Sequence, residues 1–328
     1  MDLRNAFPSL DRDAVLAAVQ QRAPELLPYA RLFLGRRSYF RYVAGNGQGE
    51  ALHADQGVDQ GDPLAPAFLA VTLRGPLERL EARLRELLEE EGWEPAAAAD
   101  AVRVRAYLDD ILVRVPDTLA ARVPAEAAAA VAPVGAALES AKTQLWRAQG
   151  GCPAGCEGWW QPAGFELLGG PLADEEELTA GAALLGTTGF VDAFLAAKLQ
   201  RFEAFLAALE RTAEEAAPHL PRAQSATLLL RTCGLGHLAH LTRLLAPAAT
   251  ADFAWAADEA ALATFARLAR LDELTPTQAR QARLSVRRGG MGLRSLHERR
   301  EAAWLGSWLT TLPRVRASAR RAGPARRS

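Results

Sequence analysis

The chain has 328 residues, 49% hydrophobic and 23% charged, with a formal net charge of −1. That length and apolar content fit a folded protein with two sizeable cores and exclude general disorder. The near-zero charge excludes bulk attraction to nucleic acid, so any such site must be a local patch.

Heavy use of Ala, Leu and Arg predicts a mostly helical chain. Three cysteines exclude a disulfide scaffold and fit a reducing compartment. No secretion signal is found, and no apolar run approaches the about 18 residues that a membrane span needs.

Met1-Asp2-Leu3-Arg4-Asn5-Ala6-Phe7 places an acid almost at the first residue. Asp11 reads as the N-cap of a helix carrying Ala14, Val15, Ala18 and Val19 on one face. A second helix is expected over about residues 23–34. Gly35 to Tyr42 then mixes three arginines with three aromatics, a composition suited to phosphate contacts and base stacking or to a strand with one wet face. Asn46-Gly47 suggests a hairpin turn.

Gln56-Gly57-Val58-Asp59-Gln60-Gly61-Asp62-Pro63 leads into a helix, with Asp62 as N-cap and Pro63 where a missing N–H costs nothing. Leu64, Phe68 and Val71 share its face. Pro76 marks a break, after which Leu77, Leu80, Leu84, Leu87 and Leu88 form a core-facing stripe.

From Val102 to Val115 apolar residues alternate with arginines on either side of Asp109-Asp110. That period predicts a β-hairpin with the acidic pair at its tip. Adjacent carboxylates repel and raise each other's pKa unless a cation lies beside them, and hard oxygen donors suit Mg²⁺. An exposed acidic turn is the plain alternative.

Three segments, taken in order, resemble the palm of a reverse transcriptase, most closely those of non-long-terminal-repeat retroelements. Asp2 to Phe7 resembles the first palm motif, Gln56 to Pro66 the second, and Ala106-Tyr107-Leu108-Asp109-Asp110 the third. Lys142-Thr143 and the stretch Phe165 to Gly170 resemble the fourth and fifth.

The resemblance implies an RNA-directed DNA polymerase that joins a dNTP to a DNA primer on an RNA template. By similarity, Asp2, Asp109 and Asp110 hold two Mg²⁺ ions, for which Mn²⁺ is a substitute, and Lys142 is a general acid toward pyrophosphate. Phe7 matches the position under the incoming sugar, where a large ring excludes a 2′-hydroxyl. Gln60 and Gly61 are expected to contact the nucleotide or template. Tyr107, beside the acidic pair, joins the expected substrate-binding set.

Further along, Cys152 and Cys156 have half-site zinc spacing without a second pair nearby. Cys233, His237 and His240 fall on a leucine-rich helical pattern that favours core packing. The acidic run Asp174 to Glu177 reads as a domain boundary. Helical patterns follow over Val191 to Ala213, from Pro221 through Leu241, and from Thr250 to Leu271. Arg288-Gly289-Gly290-Met291-Gly292-Leu293-Arg294-Ser295 resembles a glycine-rich segment of the same retroelement proteins, with no chemistry attached to it.

The expected fold is α/β of the α+β kind. A small antiparallel palm sheet backed by helices spans 1–173, an all-helical thumb and C-terminal extension spans 174–312, and a basic, disordered tail spans 313–328. Reverse transcriptases place basic fingers ahead of the first palm motif, and only Met1 precedes Asp2, so palm and thumb without fingers are expected. No endonuclease domain is expected either, and polymerisation by this chain alone is a separate expectation from its family activity. A retroelement origin favours the nucleus. The alternative readings are a non-catalytic nucleic-acid-binding remnant, or a related polymerase such as an intron maturase or viral RNA polymerase.

Overall fold

The computed structural model describes residues 1–43, 45, 47, 49–147, 150–173, 189–215 and 222–322, less the side chains of 214, 215, 222 and 317–322. Met1–Pro162 and Ala163–Ser328 form separate units. The class is α+β. Among the described residues no helix is long and apolar enough to cross a membrane.

In the first unit the chain enters as an extended Asp2-Leu3 and turns through Asn5, whose φ is 49°. Short helix α1 (Ala6–Ser9) is followed by α2 (Arg12–Arg22), where the Asp11 side chain accepts from the Ala14 backbone N–H at 2.8 Å. That is the expected cap. Val15 and Val19 are fully buried on its inner face. After α3 (Leu27–Leu34) comes an antiparallel pair, β1 (Ser38–Val43) and β2 (Gly49–Ala54). The Asn46 half of the expected turn lies outside the described residues.

Helix α4 (Ala65–Glu90) runs unbroken through Pro76, which corrects the expected break. Pro cannot donate to the carbonyl four residues back and usually costs a helix interior about 3 kcal/mol. Here Leu69, Leu73, Leu80, Leu84, Leu87 and Leu88 are buried on both sides of it, and that burial holds the turn in place. The helix begins at Ala65 rather than beside Asp62, whose carboxylate accepts from the Leu64 N–H at 2.8 Å just ahead of it.

Helix α5 (Pro95–Ala101) leads to β3 (Arg103–Tyr107) and β4 (Asp110–Arg114), the hairpin expected from the alternation. Helices α6 (Asp117–Ala120) and α7 (Val123–Val131) return the chain to residues 137–139. Single antiparallel bridges, Asp2 to Asp110 and Leu3 to Leu138, add two more segments to the β3–β4 pair. The spatial order is thus Leu138, Leu3, β4, β3, and the chain order is β-α-β-β-α-β, with α4 and α7 packed together. Leu3, Val104 and Ile111 bury one face of this sheet against the leucines of α4 and Ala127 and Val131 of α7. The other face carries the acids.

The second unit opens with a short hairpin, β5 (Phe165–Leu167) and β6 (Gly170–Leu172), in residues expected to belong to the palm. The remainder is α8 (Phe190–Glu215), α9 (Arg222–Leu229), a π-helical turn Leu230–Gly234, α10 (Leu241–Leu244), α11 (Ala251–Leu268), α12 (Pro276–Arg283) and α13 (Arg300–Ala322). The expected single helix through Leu241 is therefore interrupted at Leu230. Phe202, Leu206, Leu209, Leu230, Leu241, Ala254 and Ala257 centre the core. Helix α13 continues through Pro313 to Ala322, so the first part of the expected tail is helical. The acidic run at 174–177 and the last six residues lie outside the described residues.

Candidate active site

The site is built on a two-residue turn. Tyr107 pairs with Asp110, leaving Leu108 and Asp109 at the tip, and Leu108 takes a φ of 54°. Non-glycine residues seldom adopt that conformation, which costs on the order of 1 kcal/mol or more and persists where its surroundings hold it. Two backbone bonds on the far edge of β4 do so: Leu3 N–H donates to Asp109 O at 3.2 Å, and Ile111 N–H donates to Met1 O at 2.8 Å.

Those two bonds flank Asp2 and Asp110, which makes them a non-hydrogen-bonded antiparallel pair, the kind whose side chains approach closest. Side chains alternate across a sheet, so Asp2, Asp110 and Tyr107 share the open face while Leu3 and Ile111 point to the core. Tyr107 is 63% exposed.

On the other edge of the Asp2 segment, Arg4 N–H donates to Ala137 O and Glu139 N–H donates to Asp2 O, both at 2.8 Å. That pairing sets a short 3₁₀ turn, Ser140–Lys142, beside the acids. Lys142 Nζ reaches Asp2 Oδ2 at 2.5 Å. The ion pair raises the Lys142 pKa.

The Asp110 carboxyl is also pushed up, first by burial and then by the charges of Asp109 and Asp2; the Met1 amino group and Lys142 act the other way. Four expected residues are thus brought together: Asp2, Asp109, Asp110 and Lys142. Three hard carboxylates that repel one another form a donor set of the chemistry a divalent cation takes. Among the described residues, however, no group of three or more His, Cys, Asp or Glu side chains is gathered tightly enough to hold a metal ion, and an ammonium already sits on Asp2.

The other expected residues are placed less directly. Phe7 is half-buried against the core, and its carbonyl accepts from Val58 N–H at 2.9 Å. Gln60 and Gly61 sit exposed in the turn ahead of α4. Among the described residues neither is hydrogen-bonded to the acids. Gly61 has a φ of 102°, and an added Cβ would meet only open space.

Periodicity did not reveal Arg12. It is only 7% exposed and donates to Gly57 O at 2.9 Å, Arg36 O at 3.0 Å and Ser38 Oγ at 3.3 Å. One guanidinium so ties the loop before α4 to the start of β1. Gly57 fits beneath it with a φ of 75°, where a Cβ would lie 2.3 Å from Pro8 O. Glu81 was missed too: its carboxylate accepts from Val104 N–H at 2.9 Å on the free edge of β3. Its position on the polar face of α4 was the available signal.

No family model, curated protein or solved structure matches this chain.

Cys152 and Cys156 lie in a turn of the first unit, Cys156 buried, and burial raises both thiol pKa values. In the second unit His240 Nε2 lies 3.0 Å from Gly169 O, which places it against the β5–β6 turn.

Proposed function

We propose that the first unit is a nucleotidyl-transferase palm, and that its reaction is RNA-directed joining of a dNTP to a DNA primer. One observation carries the reading. Asp2 and Asp110 form a close cross-strand pair on the open face of a β-α-β-β-α-β sheet, with Asp109 at the hairpin tip near enough for its charge to act on Asp110. Residues separated by more than a hundred positions meet there, and folding brings three like charges together at a cost to stability that catalysis would explain.

Asp2, Asp109 and Asp110 are the residues that would hold divalent ions, Mg²⁺ or Mn²⁺, once drawn closer together than they stand in this structure and released from Lys142. Such ions would supply charge stabilisation for an attacking 3′-oxygen and a departing pyrophosphate. The chain's own residues do the rest. Lys142, 67% exposed and ion-paired with Asp2, would on leaving that pair give its proton to pyrophosphate. Tyr107 presents its exposed ring beside Asp110 to a primer or nucleotide. The half-buried Phe7 offers a ring to the sugar, and Gln60 and Gly61 offer an open loop to the template.

A second reading is favoured by the Lys142–Asp2 pair. An ammonium that neutralises one acid also suits a palm that binds an RNA template and DNA primer without extending them. Primer extension separates the two. Purified chain with Mg²⁺, an RNA template, a DNA primer and dNTPs extends the primer on the first reading, and Asp109→Asn abolishes it. Hybrid binding with no extension by the folded wild-type chain would leave only the second.

A further inference from the structure

The second unit contains a cleft of about 750 Å³ whose rim holds five arginines, Arg231, Arg243, Arg287, Arg294 and Arg299, and no acidic residue. All five are exposed. Among the described residues none of the five side chains is in an ion pair or hydrogen bond, although sixteen ion pairs occur elsewhere among those same residues. In a protein of net charge −1, arginines are ordinarily matched by acids. Five unmatched guanidiniums around one concavity make a focused positive field.

The cleft is a built feature. Its floor is Leu230, Leu235, Leu293 and Leu296, all part of the unit's core. Arg231 projects from the π-helical turn Leu230–Gly234, an irregularity that often marks a functional surface. Arg294 lies in the glycine-rich segment, and Arg287 comes just before it. Gly292 has a φ of 77°, and an added Cβ would press to 2.9 Å from Arg231 Cδ, so this glycine lets the two walls close up. The buried Asp258 fixes the base of that segment, accepting from Ser295 Oγ at 2.5 Å, Leu296 N–H at 2.8 Å and His297 N–H at 3.1 Å.

We infer that this cleft is a phosphate-backbone clamp for nucleic acid, which gives the glycine-rich segment its role. Guanidiniums suit the job because their planar forks pair with phosphate oxygens in bidentate fashion. The choice of nucleic acid over other polyanions rests on the function proposed above; the anion-binding character rests on the arginines alone.

The test is fluorescence anisotropy of the full chain with a labelled RNA–DNA hybrid of about 20 base pairs, in EDTA without dNTP, over a salt series. These conditions leave out the divalent ion and the dNTP that the chemistry proposed for the first unit would need, so the readout is hybrid binding alone. The triple variant Arg231→Gln/Arg287→Gln/Arg294→Gln is expected to bind at least about tenfold more weakly, with the slope of log affinity against log salt smaller by about 2 to 3. Arg287→Gln/Arg294→Gln/Arg299→Gln, which leaves the Arg231–Gly292 contact intact, should behave alike and guards against misfolding of the first. Arg201→Gln/Arg211→Gln/Arg270→Gln removes the same charge from exposed positions outside the cleft and should bind as wild type. Equal losses in cleft and control variants, or no loss in either, would overturn the clamp. Cleft-dependent capture of inorganic polyphosphate with no hybrid binding would overturn its assignment to nucleic acid. Primer extension that proceeds while the cleft variants bind normally would remove the clamp and keep the palm.

Discussion

Asp2 and Asp110 face each other across an antiparallel bridge, flanked by the bonds Leu3 N–H to Asp109 O and Ile111 N–H to Met1 O. No local preference puts them there. An apolar face made of Leu3, Val104 and Ile111 packs on α4 and α7, and the strict alternation of a sheet then turns the acids outward together. The hydrophobic side of the sheet thereby positions its polar side.

Arg12 is expected to matter more to stability than its charge suggests. Arg12→Ala strands the carbonyls of Gly57 and Arg36 and removes a buried link between two loops. A loss of about 2–4 kcal/mol in urea unfolding of the first unit is predicted. Arg12→Lys, with fewer donors, should fall between the two.

Asp258 makes the corresponding prediction for the second unit. At 2% exposure it satisfies three donors, so Asp258→Ala should cost about 3 kcal/mol or more, and Asp258→Asn less because one acceptor oxygen remains. Because the glycine-rich segment hangs from this carboxylate, both variants should also show faster amide exchange at Leu293 and Leu296.

Glu210 supplies a pH signature. Its carboxyl pKa is lowered, chiefly by hydrogen bonds from Arg267 at 2.6 and 2.9 Å and then by Thr264. A depressed carboxylate stabilises the fold above its unfolded pKa, and that contribution is lost as pH falls through the folded value. Glu210→Gln should therefore be less stable than wild type at pH 7 by about 1 kcal/mol, discounted for partial exposure. The gap should close in acid, below the ordinary glutamate range of about 4.3.

Much of this was legible in the residues. The alternation around Asp109-Asp110 marked the hairpin, Asp11 the cap of α2 and Leu80 to Leu88 the buried stripe of α4, because each depends on near neighbours in the chain. Pro76 was misread because local propensity yields to a long, well-buried helix. Arg12 and Asp258 stayed hidden because their partners lie 24 and 37 or more residues away, beyond any periodic signal, and the bond from Glu81 to the β3 strand because Val104 lies 23 residues on. The glycine-rich segment was visible as a pattern, but Arg294 within it and Arg287 just before it acquire meaning only beside Arg231 and Arg243 from elsewhere in the chain.

The central claim is that the chain's first acid and its acidic doublet act as one metal-holding centre. Electron paramagnetic resonance of Mn²⁺ titrated into the purified chain tests it directly. The account predicts saturable binding by wild type, with Asp2→Asn and Asp109→Asn each abolishing it while keeping the wild-type circular dichroism spectrum. A folded wild-type chain that leaves Mn²⁺ free at millimolar concentration, or binding that survives both substitutions, would contradict it.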